Sequence, residues 1–234
     1  MARINGTMNR KLINQITICA FVLFLVQSAA FAQDWANQKR YRAANEQLKY
    51  SKVKVVYIGD SITDFWINAD PGFFSQNHYA DRGISGQTSP QILLRFRQDV
   101  IDLKPEAVVI LCGTNDIAGN TGPSTLEMTE GNIISMCELA KVNKIKVILC
   151  SVLPANHFVW SPKVEPADSI IALNNWIKGY AEAKHFAYVD YYPMLVDLQK
   201  GMKAEYSADG VHPNKDAYAI MKNLVQPVID KVVK

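Results

Sequence analysis

Four short blocks carry side chains that can do chemistry together. The first is Gly59-Asp60-Ser61-Ile62-Thr63, directly after an apolar run. A hydroxyl at such a turn is presented at the end of a strand, beside the free N–H groups that open a helix. The second is Gly83-Ile84-Ser85-Gly86-Gln87-Thr88. Gly86 lets the backbone come close to a ligand and offer its N–H. The third is Cys112-Gly113-Thr114-Asn115-Asp116, where the Asn115 amide can donate to a developing oxyanion. The fourth is Asp209-Gly210-Val211-His212-Pro213-Asn214. Three residues apart on a turn, Asp209 can hold one imidazole nitrogen of His212 while the other faces a hydroxyl.

Each block alone also has a plain structural reading. Asp60 or Ser61 can cap a helix, Gly86 can serve an ordinary turn, Asn115 can form an Asx turn, and His212 can be a satisfied core or surface residue. Together, and in this order, they supply a nucleophile, its base, the base's orienter and oxyanion donors. Other chemistries lack their patterns. The second block is neither G-x-G-x-x-G nor a P-loop, the first is not G-x-S-x-G, and no Cys/His spacing suits zinc. His78, His157 and His185 have no Asp at useful spacing.

The elements that must hold these blocks alternate. Val53–Ile58, Ala107–Cys112, Lys146–Cys150 and Phe186–Asp190 read as strands, with a short one around Tyr79–Arg82. Runs this apolar suit a parallel sheet covered on both faces. Helices fill the gaps. Thr88-Ser89-Pro90 opens one whose Ile92, Phe96, Val100 and Leu103 share a face. Ser124-Thr125-Leu126-Glu127 reads as a capping box for a helix reaching Lys141. A third covers Ala167–Lys184, and Asn214 caps the last, with Tyr218, Met221, Val225, Val228 and Val232 on one face. Residues 35–49 form an additional N-terminal helix in this reading. The pattern predicts an α/β fold, a three-layer α/β/α sandwich around a doubly wound, mainly five-stranded parallel sheet. Ligands of such sheets bind beyond the carboxyl ends of the strands, where all four blocks fall.

Composition agrees. The chain has 234 residues, 49% hydrophobic and 20% charged, which excludes a disordered or fibrous chain. Its net charge of +3 comes from Arg3, Arg10 and Lys11. Without residues 1–32 the balance is 22 basic against 22 acidic, so there is no electrostatic footprint for nucleic acid. That N-terminus reads as a signal peptide: a basic Arg10-Lys11, an apolar run from Ile16 to Val26 interrupted by Thr17, and Ala30-Phe31-Ala32 as cleavage site. The run is too short to span a bilayer, so export to the periplasm or medium is expected, with no stable membrane insertion after cleavage. Met8 would serve equally well as a start. Cys19 lacks a lipobox, so lipid attachment there is not expected. Residues 33–52 then form an N-terminal helical extension and residues 53–234 a single catalytic domain. Its three cysteines, Cys112, Cys137 and Cys150, make an odd count and read as buried thiols.

With those residues in hand, the chain from Val53 onward resembles the SGNH hydrolases, or GDSL-type esterases. The resemblance implies the flavodoxin-like fold of that family, Ser61 as nucleophile, His212 as base and Asp209 as triad acid. It also implies Gly86, Asn115 and the Ser61 N–H as oxyanion donors, with no metal and no cofactor. Ile62 stands where the family's nickname has Leu, Gln87 where Asp is frequent, and Thr114 where a Gly precedes the Asn. None of these departures removes a catalytic group.

The substrate reading starts from the segment after Cys150, Pro154–Pro166, whose Phe158 and Trp160 can stack on a sugar or hold an acyl chain. Trp66, five residues after the nucleophile, is expected to wall the site. With export, these aromatics favour removal of a short acyl group, acetyl above others, from a small ester or acylated carbohydrate. The family resemblance leans the same way, through Gly59-Asp-Ser-Ile-Thr63 with Trp66 and Arg82-Gly-Ile-Ser-Gly86. A lysophospholipase or general short-to-medium-chain acylhydrolase is the alternative enzyme. A non-catalytic carbohydrate-binding domain is the alternative of another class, and it conflicts with the full set of catalytic residues. No feature of the sequence specifies an oligomer.

Overall fold

Alternation within the strands builds the layers. In β1 (Val55–Gly59), Val56 and Ile58 face one side and Val55 and Tyr57 the other, and all are buried. The same division holds in β3 (Ala107–Leu111), so each face of the sheet carries its own apolar core. The computed structural model describes residues 34–233. The signal peptide expected over residues 1–32 lies outside them. The chain divides into two units, residues 1–35 and 36–234, and the second carries the sheet and all four blocks.

The sheet has five strands, all parallel: β1, β2 (Tyr79–Gly83), β3, β4 (Lys146–Cys150) and β5 (Ala187–Val189). Their order is β2-β1-β3-β4-β5. The chain leaves β1 for one edge and returns beside it on the other, so a crevice opens past the ends of β1 and β3. Helices α1 (Arg42–Leu48), α2 (Ser61–Asp64), α3 (Trp66–Ala69), α4 (Pro71–Gln76), α5 (Ser89–Asp99) and α6 (Thr114–Ile117) follow in chain order. They are joined by α7 (Leu126–Val142), α8 (Ala167–Lys184), α9 (Tyr192–Leu195) and α10 (Lys215–Val232).

One face is covered by α5, α7 and α8, through Ile92, Phe96, Ile133, Met136, Leu173 and Ile177. The other is covered by α3, α4 and α10, through Trp66, Phe73, Phe74, Met221, Val225 and Ile229. The expected three-layer α/β/α sandwich is therefore the observed fold. Cys112, Cys137 and Cys150 are buried free thiols.

The differences from the sequence reading are local. The N-terminal helix covers Arg42–Leu48 rather than residues 35–49, because Asn37 sits at φ 49°, outside helical geometry. The segment also packs into the domain: Asn45 donates to Asp99 Oδ1 at 2.7 Å and accepts from Arg82 Nε at 2.8 Å. The cap of α7 is Thr125, which accepts from Met128 N, and not Ser124. Along α10 the buried face is Ala217, Tyr218, Met221, Val225 and Ile229, so its C-terminal half buries Ile229, with Val228 and Val232 only partly buried at the edge of the core. That shift follows a 3.6-residue repeat from Tyr218. Gly83 ends β2 against α2. A Cβ there would lie 2.0 Å from Asp64 N, so only glycine lets the two segments pack this closely.

Candidate functional site

The chain brings all four blocks to the carboxyl end of the sheet. Ser61 is the first residue of α2, directly after the turn that ends β1, and Asp60 caps that helix by accepting from Ile62 N at 3.0 Å. Ser61 Oγ lies 2.9 Å from His212 Nε2, and His212 Nδ1 lies 2.7 Å from Asp209 Oδ2. A carboxylate only accepts, so Nδ1 carries the proton and Nε2 is free to accept from the Ser61 hydroxyl.

Asp209 is held by its own turn. Its Oδ1 accepts from Ser207 Oγ at 3.0 Å, Val211 N at 2.9 Å and His212 N at 2.8 Å. Partial burial opposes its charge, but the bonds from His212 and Val211 outweigh that and hold the carboxyl far below the usual range. Asp60, fully buried, moves the other way: burial lifts its carboxyl to about 7 against the Ile62 N–H bond.

Gly86 has φ 77°, the left-handed region that glycine enters freely, and its N–H makes no backbone hydrogen bond among the described residues. The loop before it is fixed by Ser85, whose N and Oγ donate to Asp64 Oδ2 at 3.2 and 2.7 Å. The Ser61 N–H opens α2 and has no carbonyl one turn back within it. Asn115 Nδ2 donates to Gln87 O at 3.1 Å and to Asp60 Oδ2 at 3.3 Å. The second bond is long, leaving the amide able to turn one hydrogen toward a stronger acceptor.

Over these groups lies a cavity of about 310 Å³ lined by Ser61, Gly86, Asn115 and His212, together with Phe65, Ser85, Asn120 and Trp160. Phe65 and Trp160 flank the imidazole, with ring centroids 5.3 and 6.2 Å from it. Two expectations about the aromatic wall are corrected. Trp66 does not line the cavity: it is buried between Phe73 and Tyr218 in the core, and its neighbour Phe65 faces the site instead. Phe158 is also buried, and supports Trp160 from beneath as a stacked ring at 5.0 Å. Trp160 is where the sequence placed it, on the site.

Phe65, Ser85 and Asn120 were not anticipated. Asn120 sits between Gly119 and Thr121, where composition reads only as a turn. A wider cleft of about 430 Å³ at the amino ends of β4 and β5 is lined by Lys141, Lys184 and their neighbours and contains none of the four blocks. No three His, Cys, Asp or Glu side chains among the described residues are grouped to hold a metal. No described helix is long and apolar enough to cross a membrane.

The sequence profile of the GDSL-like lipase/acylhydrolase family matches residues 57–220. The chain belongs to this family. A Bacteroides fragilis protein provisionally assigned as an acylhydrolase has a similar structure, at TM-score 0.84 and 47% identity over 86% of this chain and all of that one. Esterase TesA of Pseudomonas aeruginosa is 28% identical over 75% of this chain and 87% of its own. An uncharacterised lipoprotein of Bacillus subtilis, YqeF, is 38% identical over 76 residues, and the match spans under a third of either chain. As a GDSL-family acylhydrolase, the protein is a carboxylic ester hydrolase.

Proposed function

We propose that this acylhydrolase is a serine esterase working through an acyl-serine intermediate, with a short acyl group, acetyl above others, on a carbohydrate as its substrate. The observation that carries the reading is the hydrogen-bonded series Ser61–His212–Asp209 beneath the cavity, at 2.9 and 2.7 Å. His212 Nε2 takes the Ser61 proton as Oγ attacks the ester carbonyl. The N–H groups of Ser61 and Gly86 and the Asn115 amide receive the oxyanion. His212 then protonates the leaving alcohol, and afterwards draws a proton from the water that releases the acid. Asp209 stays ionised throughout and stabilises the imidazolium.

The substrate reading rests on the site's size and walls. A cavity of about 310 Å³ is at the small end for ligand sites, which run from roughly 300 to 1,000 Å³. The half-exposed faces of Phe65 and Trp160 suit the apolar face of a sugar ring. A basic n-region, apolar run and Ala30-Phe31-Ala32 site support export, where such esters would be met.

Hydrolysis of p-nitrophenyl acetate beside the decanoate, with Ser61→Ala as control, tests the reading. Turnover lost in the control and falling steeply with chain length is expected. A preference for the decanoate would overturn the short-acyl assignment in favour of a lipase-like enzyme, and turnover surviving in Ser61→Ala would overturn the serine mechanism.

A further inference from the structure

Three side chains outside the triad form a one-way series of hydrogen bonds that ends at the oxyanion site. Trp160 Nε1 donates to Asn120 Oδ1 at 2.9 Å. Asn120 Nδ2 donates to Asn115 Oδ1 at 2.8 Å and to the Gly86 carbonyl at 3.1 Å. Asn115 Nδ2 donates onward to Gln87 O and Asp60 Oδ2. The direction of each bond is forced. An indole nitrogen can only donate, so Asn120 must turn its oxygen to Trp160 and its nitrogen to Asn115 and Gly86. Asn115 must then turn its own oxygen to Asn120, which leaves its nitrogen on the nucleophile's side. A primary amide is nearly symmetric in shape, so packing alone selects weakly between its two orientations. Only the nitrogen end can donate to an oxyanion.

We infer that Asn120 is a positioning residue that sets the orientation of the Asn115 amide and the Gly86 loop, and that the indole N–H of Trp160 fixes the orientation of Asn120 in turn. The inference rests on the esterase reading above. Asn120 is exposed, so its side chain adds little to the core, yet all three of its bonds run to groups around the cavity. Its backbone is tied to the same place, with Asn120 N donating to Asn115 O at 3.0 Å. Trp160 can take this role without losing its faces, because the N–H lies in the ring plane while one face stacks on Phe158.

The test is a double-mutant cycle read in kcat and KM on p-nitrophenyl acetate, with melting temperatures to confirm folding. Asn120→Ala is expected to lower kcat about ten- to a hundredfold with KM little changed, below the ~10²–10³-fold loss from removing a donor outright by Asn115→Ala. In the Asn115→Ala background, Asn120→Ala should add less than about threefold. Asn120→Asp keeps the acceptor for Trp160 but cannot donate to Asn115, so it should be no better than Asn120→Ala. Trp160→Phe keeps an aromatic ring to stack on Phe158 but removes the N–H together with one ring of the indole. The part of its kcat loss that runs through the N–H, a few-fold, should vanish once Asn120 is Ala. Two independent losses that multiply in the Asn115→Ala/Asn120→Ala protein, or wild-type kcat in Asn120→Asp, would overturn the relay while leaving the esterase intact. Turnover that persists in Ser61→Ala would instead remove the reading on which it rests.

Discussion

Arg95 Nη2 donates to the carbonyl of Gly59, two residues before Ser61, at 2.8 Å. The same guanidinium donates to Arg82 O at 2.7 Å, Gln87 Oε1 at 2.6 Å and Asp99 Oδ2 at 3.0 Å, and it is fully buried. One rigid fork thus ties the turn before Ser61 to the loop that carries Gly86. Arg95→Ala leaves Asp99 buried without its ion-pair partner, with only the Asn45 amide donating to it, and should cost about 3–5 kcal/mol, read as a lowered denaturation midpoint. Arg95→Lys cannot reach four acceptors and should recover only a minor part. Stability within about 0.5 kcal/mol of wild type would show that the fork does not hold the turns.

Asp209→Asn should abolish most catalysis while the fold persists. An amide can donate to His212 Nδ1, which would move the ring proton to Nε2 and leave nothing to accept from Ser61. A fall in kcat of about 10⁴ is expected at neutral pH, in a protein that still folds but melts somewhat lower because the stabilised charge is lost. A loss under tenfold would mean that the orienting role lies elsewhere.

Asp81 should make stability fall as pH rises. Burial lifts its carboxyl to about 7, against the Gly83 N–H bond and the charges of Arg82 and Arg95, and its Oδ2 has no hydrogen-bond partner. An unfolded Asp titrates near ~3.9, so between these values the folded protein binds more protons than the unfolded chain. Its contribution to stability therefore declines through that window and levels off above it. Asp60 acts with the same sign. Asp81→Asn should flatten the curve, by on the order of a few kcal/mol between pH 4 and pH 8. Urea denaturation at several pH values measures it, and an unchanged slope would exclude Asp81 as the source.

Phe158→Ala separates support from contact. Removing the ring beneath Trp160 opens a cavity and should destabilise by ~3–5 kcal/mol. Trp160→Ala, at a partly exposed position, should cost much less stability but raise KM for acetylated oligosaccharides more than for p-nitrophenyl acetate. Equal effects on both esters would argue against stacking on the sugar.

How much of the fold and site was legible in the sequence depended on the range of the signal. The strands were readable because parallel strands buried on both faces are continuous apolar runs, as in Ala107–Leu111. The long helices declared themselves through spacing and caps, Asn214 above all, which accepts from Asp216 N and Ala217 N. The four blocks were readable because each residue's chemistry is local to a strand end. The aromatic wall was not. Phe65 and Trp66 are adjacent, and α2 and α3 are too short for periodicity to say which of them turns to the core. Asn120 and Arg95 were silent for another reason. Their roles consist of contacts across the fold, such as Arg95 to Gly59, and a turn asparagine or a helical arginine has no distinguishing sequence.

Ser61 and His212, the proposed nucleophile and base, lie 151 residues apart, and His212 arrives just before α10. A chain emerging from the ribosome amino end first therefore carries Ser61, Gly86 and Asn115 long before it carries the imidazole proposed to activate the serine. Under the serine mechanism proposed above, ester cleavage can begin only once the chain has been made through His212 and α10 has docked. Fragments that stop short of His212 are then expected to be chemically silent, so that turnover doubles as a report that the chain has been made and folded through α10.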